Sequence, residues 1–449
     1  MRSASRLLAG FAVLALLAPA PQAAARKIDG SAATQPSLLR QAEALGATEV
    51  TVHPAPDGGT RLNGELGGAQ FAISIPAGWT GDGLLYAHGY TTPGTPVAVA
   101  DDPVAKGTKL LGQAYGEGLA VGHSAYDKDG LGVETGVRNT TRLRDFLTAL
   151  GGKRVYLLGD SMGGGIVVAA LEKHPGKFAG GLARCGVVDS WQTLLGQIVD
   201  MRLAYNALTQ GTPYALPGEQ DVRHDAIDPR PPVGTNDAAA QAYVFGQIAK
   251  VGLPPLALWA AAQQDPDGPE ARIAHQVTMI GGFDYDAAAL AFPLVTAALG
   301  ADDMAATAGG WVYGNVGKPY SAPGMTAEEE AALNGNIQRV AEAPAATAYL
   351  ANWHEATGRI TVPLVTLHNR IDSLVPYAQE EALAHKVAQA GNAHWLVSYA
   401  VPPTRAALPI GGVEGYTHCG FSDAQNSAAW AALRRWAETG DRPAEDLIQ

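Results

Sequence analysis

Between Arg154 and Pro175 the chain reads RVYLLGDSMGGGIVVAALEKHP, a run of β-formers that becomes a helix-like run across a cluster of glycines. This junction limits what the chain can fold into. A strand that feeds a helix through a tight turn is the repeating unit of a parallel sheet covered on both faces. The alternation extends in both directions. GLLYAHGY (83–90) and GLAVGHSAY (118–126) read as buried strands, and AGGLARCGVV (179–188) as another. NTTRLRDFLTALGG (139–152) has helical spacing at Leu143, Phe146, Leu147 and Leu150, with Gly151-Gly152 as a stop. Upstream, EVTVHPAPDGGT and AQFAISIPAGW read as the arms of a hairpin turning at Asp57-Gly58-Gly59, preceded by an amphipathic segment at Ser37–Ala44.

From about Trp191 to Arg359 the alternation stops. Alanine-rich, helix-like segments separated by loops replace it, one of them opened by a capping box at Thr326 and Glu329. The sheet pattern resumes at ITVPLVTLHNRID (360–372). It continues through a helix (377–391) and the strand HWLVSYAV (394–401) and ends in the helix SAAWAALRRWAE (427–438). The expected organisation is one α/β core in two parts, 26–190 and 360–449, with a mainly helical insertion over 191–359. An insertion of about 170 residues far exceeds what a connection needs. Entering before the strand at 360, it would stand over the C-terminal ends of the strands as a cap.

Residues 1–25 have the order of a secretory leader. Arg2 and Arg6 precede the apolar run LLAGFAVLALLAPA, and PQAAA supplies small residues, so cleavage near Ala24 or Ala25 is expected. Secretion or delivery to a periplasm follows. The apolar run is short for a membrane span, and no later stretch has the unbroken apolar length of one, so no stable membrane anchor is expected. The formal charge of −12 becomes −14 (−12 minus 2) once the two leader arginines are removed. That sign argues against nucleic acid as a partner. No His-x-x-x-His, carboxylate cluster, calcium loop or Gly-Lys-Ser/Thr phosphate loop occurs, so neither metal nor cofactor is expected.

Gly159-Asp160-Ser161-Met162-Gly163 matches Gly-x-Ser-x-Gly, a pentapeptide that composition alone would supply roughly 0.2 times in a chain like this. Its setting is more specific than its letters. A strand leads in, a helix leads out, and the helix N-terminus offers N–H groups and positive potential where an oxyanion would form. Here the chain resembles the α/β-hydrolases, and three further segments in the family's order support the resemblance. YAHGYT resembles the oxyanion loop, PLVTLHNRIDSLVP the strand and loop of the catalytic acid, and GYTHCGF the loop of the catalytic histidine. The resemblance implies an α/β-hydrolase fold with Ser161 as nucleophile, His418 as base and Asp372 as acid. It also implies an oxyanion hole made by the N–H groups of Tyr90 and Met162. Asp189 also follows a core strand and is the competing acid. His88 is expected to brace the oxyanion loop, and His123 and His368 to pack at strand ends.

Cys185 and Cys419 are the chain's two cysteines. Cys419 follows the expected base, and Cys185 ends the strand after the elbow, so the crevice at the strand ends could bring them together. A bond would tether the histidine loop to the sheet; the alternative is two buried free thiols. The His-Cys pair resembles that of tannases and feruloyl esterases, whose disulfide ties the histidine loop to the nucleophile region. Their partner cysteine, however, precedes the serine, and here Asp160 stands there.

The reaction expected from this set is hydrolysis of a carboxylic ester, in a small molecule or a polymer, through an acyl-enzyme. Trp259, Phe283, Tyr285, Phe292, Trp311, Tyr313 and Tyr320 in the insertion build mostly its own core. Any that line the pocket favour an apolar or aromatic group. A peptidase or amidase, a lactonase or an acyltransferase would use the same triad, and a catalytically silent binding protein would keep the same fold.

Overall fold

The structure, a computed structural model, describes residues 35–448 apart from 56, 97, 98, 100, 101, 106–108, 354 and 409–411. The expected leader over 1–25 therefore lies outside the described residues.

Nine strands form one sheet: β1 Ala47–Pro54, β2 Thr60–Leu66, β3 Gln70–Ile75, β4 Gly83–Ala87, β5 Ala120–Ser124, β6 Val155–Asp160, β7 Gly180–Arg184, β8 Leu364–Asn369 and β9 Leu396–Val401. Their order is β1-β2-β3-β5-β4-β6-β7-β8-β9. The β1, β2, β3 and β5 pairings are antiparallel, and every pairing from β5 through β4 to β9 is parallel. A separate two-stranded ribbon joins β10 Arg405–Ala407 to β11 Glu414–Tyr416.

One detail departs from the sequence reading. Asp57-Gly58-Gly59 does turn the chain, but into β2, which the sequence reading passed over, so β1 pairs with β2 and β3 is a third arm. The segment TRLNGEL is half-exposed and carries Asn63 and Gly64, and so lacks the apolar alternation that marks a strand.

The period of two in the strands sorts the core into two layers. Val155, Leu157, Leu85 and Leu364 face one side; Tyr156, Leu158, Leu84 and Val365 face the other. The first layer is covered by α3 Val133–Ala149 and α4 Met162–Lys173, the second by α2 Lys109–Gly116 and α13 Asp423–Thr439. A short first helix, α1 Gln35–Ala44, lies against β1. The last core helix before α13 is α12 Ala378–Gln389. Burying each such Leu contributes about 1.5–3 kcal/mol, so the sheet is rigid where its strands end.

Between β7 and β8 the described residues form seven helices: α5 Trp191–Thr209, α6 Asp237–Gln264, α7 Pro269–Gly281, α8 Ala287–Leu299, α9 Ala301–Ala308, α10 Ala327–Asn336 and α11 Pro344–Trp353. Thr326 and Glu329 form the expected capping box at α10. The insertion has a polar interior as well as an apolar one. Asp200 of α5, which is buried, accepts from the hydroxyls of Tyr313 (2.7 Å) and Tyr320 and pairs with Lys318 at 2.5 Å, which ties those two aromatics to the insertion's own core.

By length and composition α6 could cross a membrane, which the sequence reading did not anticipate. It contains Pro254 and Pro255 and packs on α7 and α8, as a core helix does.

The insertion leaves and rejoins the core at one stem. Ser190 and Glu355 form an antiparallel bridge, the Ser190 hydroxyl donates to Glu355 Oε1 at 2.7 Å, and Ala356 N–H donates to Asp189 O at 2.8 Å. On the core side, Glu172 at the C-terminal end of α4 accepts from the N–H groups of Thr357 and Gly358 at 2.7–2.9 Å.

Candidate active site

Ser161 sits between β6 and α4 with φ 57° and ψ −121°. An L-residue at positive φ costs of order 1–3 kcal/mol, and the surroundings must hold it there. The glycines of the motif allow the required approach. A Cβ on Gly163 would collide with the Ala87 carbonyl of β4, and one on Gly159 would collide with the Gly163 carbonyl. The turn can therefore pack against β4 only because these two side chains are absent.

The described residues include five non-glycine residues at positive φ: Glu49, Tyr126, Ser161, Cys185 and Cys419. Glu49 lies on the outermost strand. The other four surround one crevice at the C-terminal ends of β4, β6, β7 and β8, so the backbone strain is concentrated there.

Three side chains meet in that crevice. The Ser161 hydroxyl lies 2.8 Å from His418 Nε2, and His418 Nδ1 lies 2.8 and 2.9 Å from the two Asp372 oxygens. A carboxylate only accepts, so Nδ1 carries the imidazole proton and Nε2 is left to accept from the serine. Asp372 is fully enclosed and also accepts from the N–H groups of Leu374 and Val375, each at 2.9 Å, and of Cys419 at 3.2 Å. Burial opposes its ionisation. The His418 charge and hydrogen bond, the nearby His368 and the Val375 N–H outweigh burial and hold Asp372 below the usual carboxylate range.

Asp189, the competing acid, is not brought to the histidine. It pairs with Lys386 of α12 at 2.8 Å and belongs to the stem of the insertion. His88 stacks on Tyr126 with ring centroids 3.9 Å apart, and the Tyr126 hydroxyl donates to the His88 carbonyl at 3.3 Å, which braces the loop after β4. His368 is buried between Glu380 (3.1 Å) and the Val375 carbonyl (2.9 Å). His123 is buried within β5.

Of the two expected oxyanion donors, Met162 is the first residue of α4, a position whose N–H has no acceptor within the helix. Tyr90 follows Gly89, where a Cβ would stand 3.3 Å from Ser161 Cβ; the absence of that side chain brings the loop against the serine. The Tyr90 ring reaches the insertion, since a Cβ on Gly300 would stand 2.6 Å from its hydroxyl oxygen.

Cys185 and Cys419 are joined by a disulfide with Cα atoms 5.2 Å apart. It spans 234 residues and fixes the residue beside His418 to the end of β7. A bridge of this kind is commonly worth about 2–5 kcal/mol. The two sulfurs and an imidazole nitrogen of His418 lie within 4.8 Å of one another, but bonded sulfurs offer no thiolate to a metal.

Asp160, at the position where the tannase-like pattern has a cysteine, forms a part-buried ion pair with the buried Arg184. Both its oxygens accept from Arg184, each at 2.7 Å, the Tyr86 hydroxyl donates to it at 3.1 Å, and Arg184 also donates to Asn426 at 2.6 Å. Asp160 and Arg184 are directly paired across β6 and β7, one residue before Ser161 and Cys185 respectively. Asp160→Ala is expected to destabilise the protein by about 3–5 kcal/mol, because a buried guanidinium loses its partner. Adding Arg184→Met should recover most of that loss. Urea unfolding of parent, single and double variants measures both effects.

Two contributors escaped the sequence reading. Asn369, at the end of β8, accepts from Gly420 N–H at 2.9 Å and donates to Gly420 O at 3.0 Å, gripping the histidine loop from the core. Asp286, the N-cap of α8, accepts from Tyr416 N–H on the same loop. An aspartate before the apolar run 287–299 signals a helix start. Nothing local signals a contact 130 residues away.

No protein-family model matches the sequence, and no curated protein matches it. Among solved structures, the chain is similar to feruloyl esterase B from Aspergillus oryzae (13% identity, 89% of this chain and 88% of that one, TM-score 0.43). It is also similar to the tannin acyl hydrolase of Aspergillus niger (12%, 88% and 83%, 0.42) and to the proline iminopeptidase of Mycobacterium smegmatis (12%, 87% and 100%, 0.35). The sheet order, with β5 between β3 and β4, the serine on the turn from β6 to α4 and the helices set between β7 and β8 give this chain the α/β-hydrolase fold.

Proposed function

We propose that the protein is an exported serine hydrolase that cleaves carboxylic esters through an acyl-enzyme. The observation that carries this reading is the continuous line from Ser161 Oγ to His418 Nε2 and from His418 Nδ1 to Asp372. As Oγ attacks the acyl carbon, its proton passes to Nε2, and Asp372 stabilises the imidazolium that forms. The Tyr90 and Met162 N–H groups receive the carbonyl oxygen as it becomes an oxyanion, each worth about 3–4 kcal/mol when well placed. The C–O bond to the alcohol then breaks, and the alcohol departs with the proton from Nε2. Water repeats the sequence on the acyl-enzyme, losing its proton to Nε2, and Ser161 takes that proton back.

The inserted helices act as a cap that sets the substrate. Helix α8, AAALAFPLVTAAL, is almost wholly apolar and runs about 20 Å from the histidine loop to the Tyr90 hydroxyl. Such a wall suits an ester with an apolar or aromatic group. Export is supported by the leader-like order of residues 1–25 and by a disulfide of the kind kept in oxidising compartments.

A chain-length series of p-nitrophenyl esters beside matched anilides tests the reading. Turnover of esters with label from a fluorophosphonate on Ser161 is expected; anilide turnover at matched rates would make it an amidase. Failure of every ester in the series would sink the proposal. The N-terminus of the exported protein is expected at residue 25 or 26.

A further inference from the structure

We propose that Asp286, on the inserted helices, is a positioning residue for His418. This rests on the reading of Ser161 and His418 as nucleophile and base. The loop that carries His418 is held on its far side by the core, through Asn369 on Gly420 and through the Cys185–Cys419 bond. On its near side it runs out of β11, a three-residue strand at the edge of a two-stranded ribbon, and such a ribbon has little stability of its own.

Thr417 N–H donates to the Thr404 carbonyl at 2.9 Å, and Asp286 adds a hold from the inserted helices. Its side chain is 1% exposed, and three donors converge on it. Oδ1 accepts from Ala288 N–H and from Tyr416 N–H, each at 2.9 Å, and Oδ2 pairs with Arg405 of β10 at 3.0 Å. Arg405 also donates to the Glu414 carbonyl at 3.1 Å and lies over the Tyr416 ring at 4.5 Å, so one carboxylate secures both strands of the ribbon. The ribbon lies flush on α8. A Cβ on Gly415 would stand 2.7 Å from Ala288 Cβ and 3.0 Å from Asp286 Oδ1.

Tyr416 is two residues before His418, so freeing it lets the imidazole drift from the serine. A misplacement of about 1 Å in such a group can cost 10²-fold in rate. The cap thus reaches the general base through one buried carboxylate, and its integrity governs kcat as well as access.

The test separates positioning from capping. Asp286→Ser keeps a good N-cap for α8 but is too short to reach Tyr416 or Arg405. It is expected to lower kcat on the best p-nitrophenyl ester by about 10- to 100-fold with little change in KM. Amide exchange in a peptide covering 412–420 should become faster, and the melting temperature should stay near the parent's. Asp286→Asn, whose amide oxygen can still take both N–H groups, should restore kcat to within about threefold of the parent. Gly415→Ala, which pushes the ribbon off α8 with Asp286 intact, should repeat the kcat loss and keeps the test available if Asp286→Ser folds poorly. An unchanged kcat in both Asp286→Ser and Gly415→Ala overturns the proposal. So does a raised KM at constant kcat, which would make α8 only a pocket wall. If the parent hydrolyses no ester, the functional reading fails by itself. The exchange comparison still decides the anchor, and unchanged exchange in 412–420 refutes it.

Discussion

Ser161→Ala is expected to lower kcat roughly 10⁴- to 10⁶-fold on any ester the parent cleaves and to abolish fluorophosphonate labelling, with the far-UV CD spectrum unchanged. The size of the effect follows from the arrangement. His418 accepts from a single hydroxyl, at 2.8 Å, and no other nucleophile is placed on its Nε2 among the described residues. The activity that remains measures what the oxyanion donors and binding supply alone. Ser161→Gly adds a separate readout. Because Ser161 is held at φ 57°, glycine relieves strain that alanine keeps, so Ser161→Gly should be more stable than Ser161→Ala, by about 1 kcal/mol, though equally inactive. Steady-state kinetics and urea unfolding of the two variants separate chemistry from backbone strain.

Asp372→Asn is expected to lower kcat/KM about 10⁴-fold, while Asp189→Asn leaves it near the parent's. An amide at 372 can donate to Nδ1, which favours the tautomer whose Nε2 carries the proton and cannot take one from serine. Asp189 instead neutralises Lys386 at the stem, so its loss affects stability and not chemistry. The opposite ranking would reassign the acid. The pH profile follows from the same geometry. With Asp372 held below the usual carboxylate range, its contribution to stability is complete above about pH 4 and is lost only as pH falls through its lowered folded value. Urea unfolding at descending pH should therefore show this contribution persisting below the usual carboxylate range and disappearing only on its acid side.

The candidate triad was legible because the segments that carry it resemble those of the α/β-hydrolases, and each lies where the local pattern shows a strand or loop ending. Ser161 follows the β-forming run VYLL (155–158) and a glycine, Asp372 follows a buried strand, and His418 lies in a late glycine-containing loop. Their order along the chain did the rest. The disulfide was legible only as a possibility, since two cysteines 234 residues apart carry no geometry until the sheet gathers their strands. Strand β2 was missed because its half-exposed, polar sequence lacks the alternation that burial imposes. The anchors Asn369 and Asp286 and the Asp160–Arg184 pair were invisible for another reason. Each depends on which backbone groups a distant loop presents, and neither propensity nor periodicity encodes that. The aromatic residues of the insertion show the same limit. Most of the seven were expected to build the insertion's own core, but the letters did not say which; Tyr313 and Tyr320 do so, their hydroxyls bonded to Asp200.

The stem at Ser190 and Glu355 has a consequence for engineering and for descent. Because the 164 residues between these two positions (355 − 190 − 1) begin and end side by side, the whole segment is a cassette with a single splice point. A shorter linker or a foreign cassette could close the same gap without moving any strand of the sheet. The graft would then have to replace the acceptors that the present segment offers the core, Asp286 for the Tyr416 N–H and Asp303 for Lys128 and the Leu131 N–H. On the proposed reading of the inserted helices as a cap, swapping cassettes at this stem is expected to change substrate range in one step, provided those acceptors are kept.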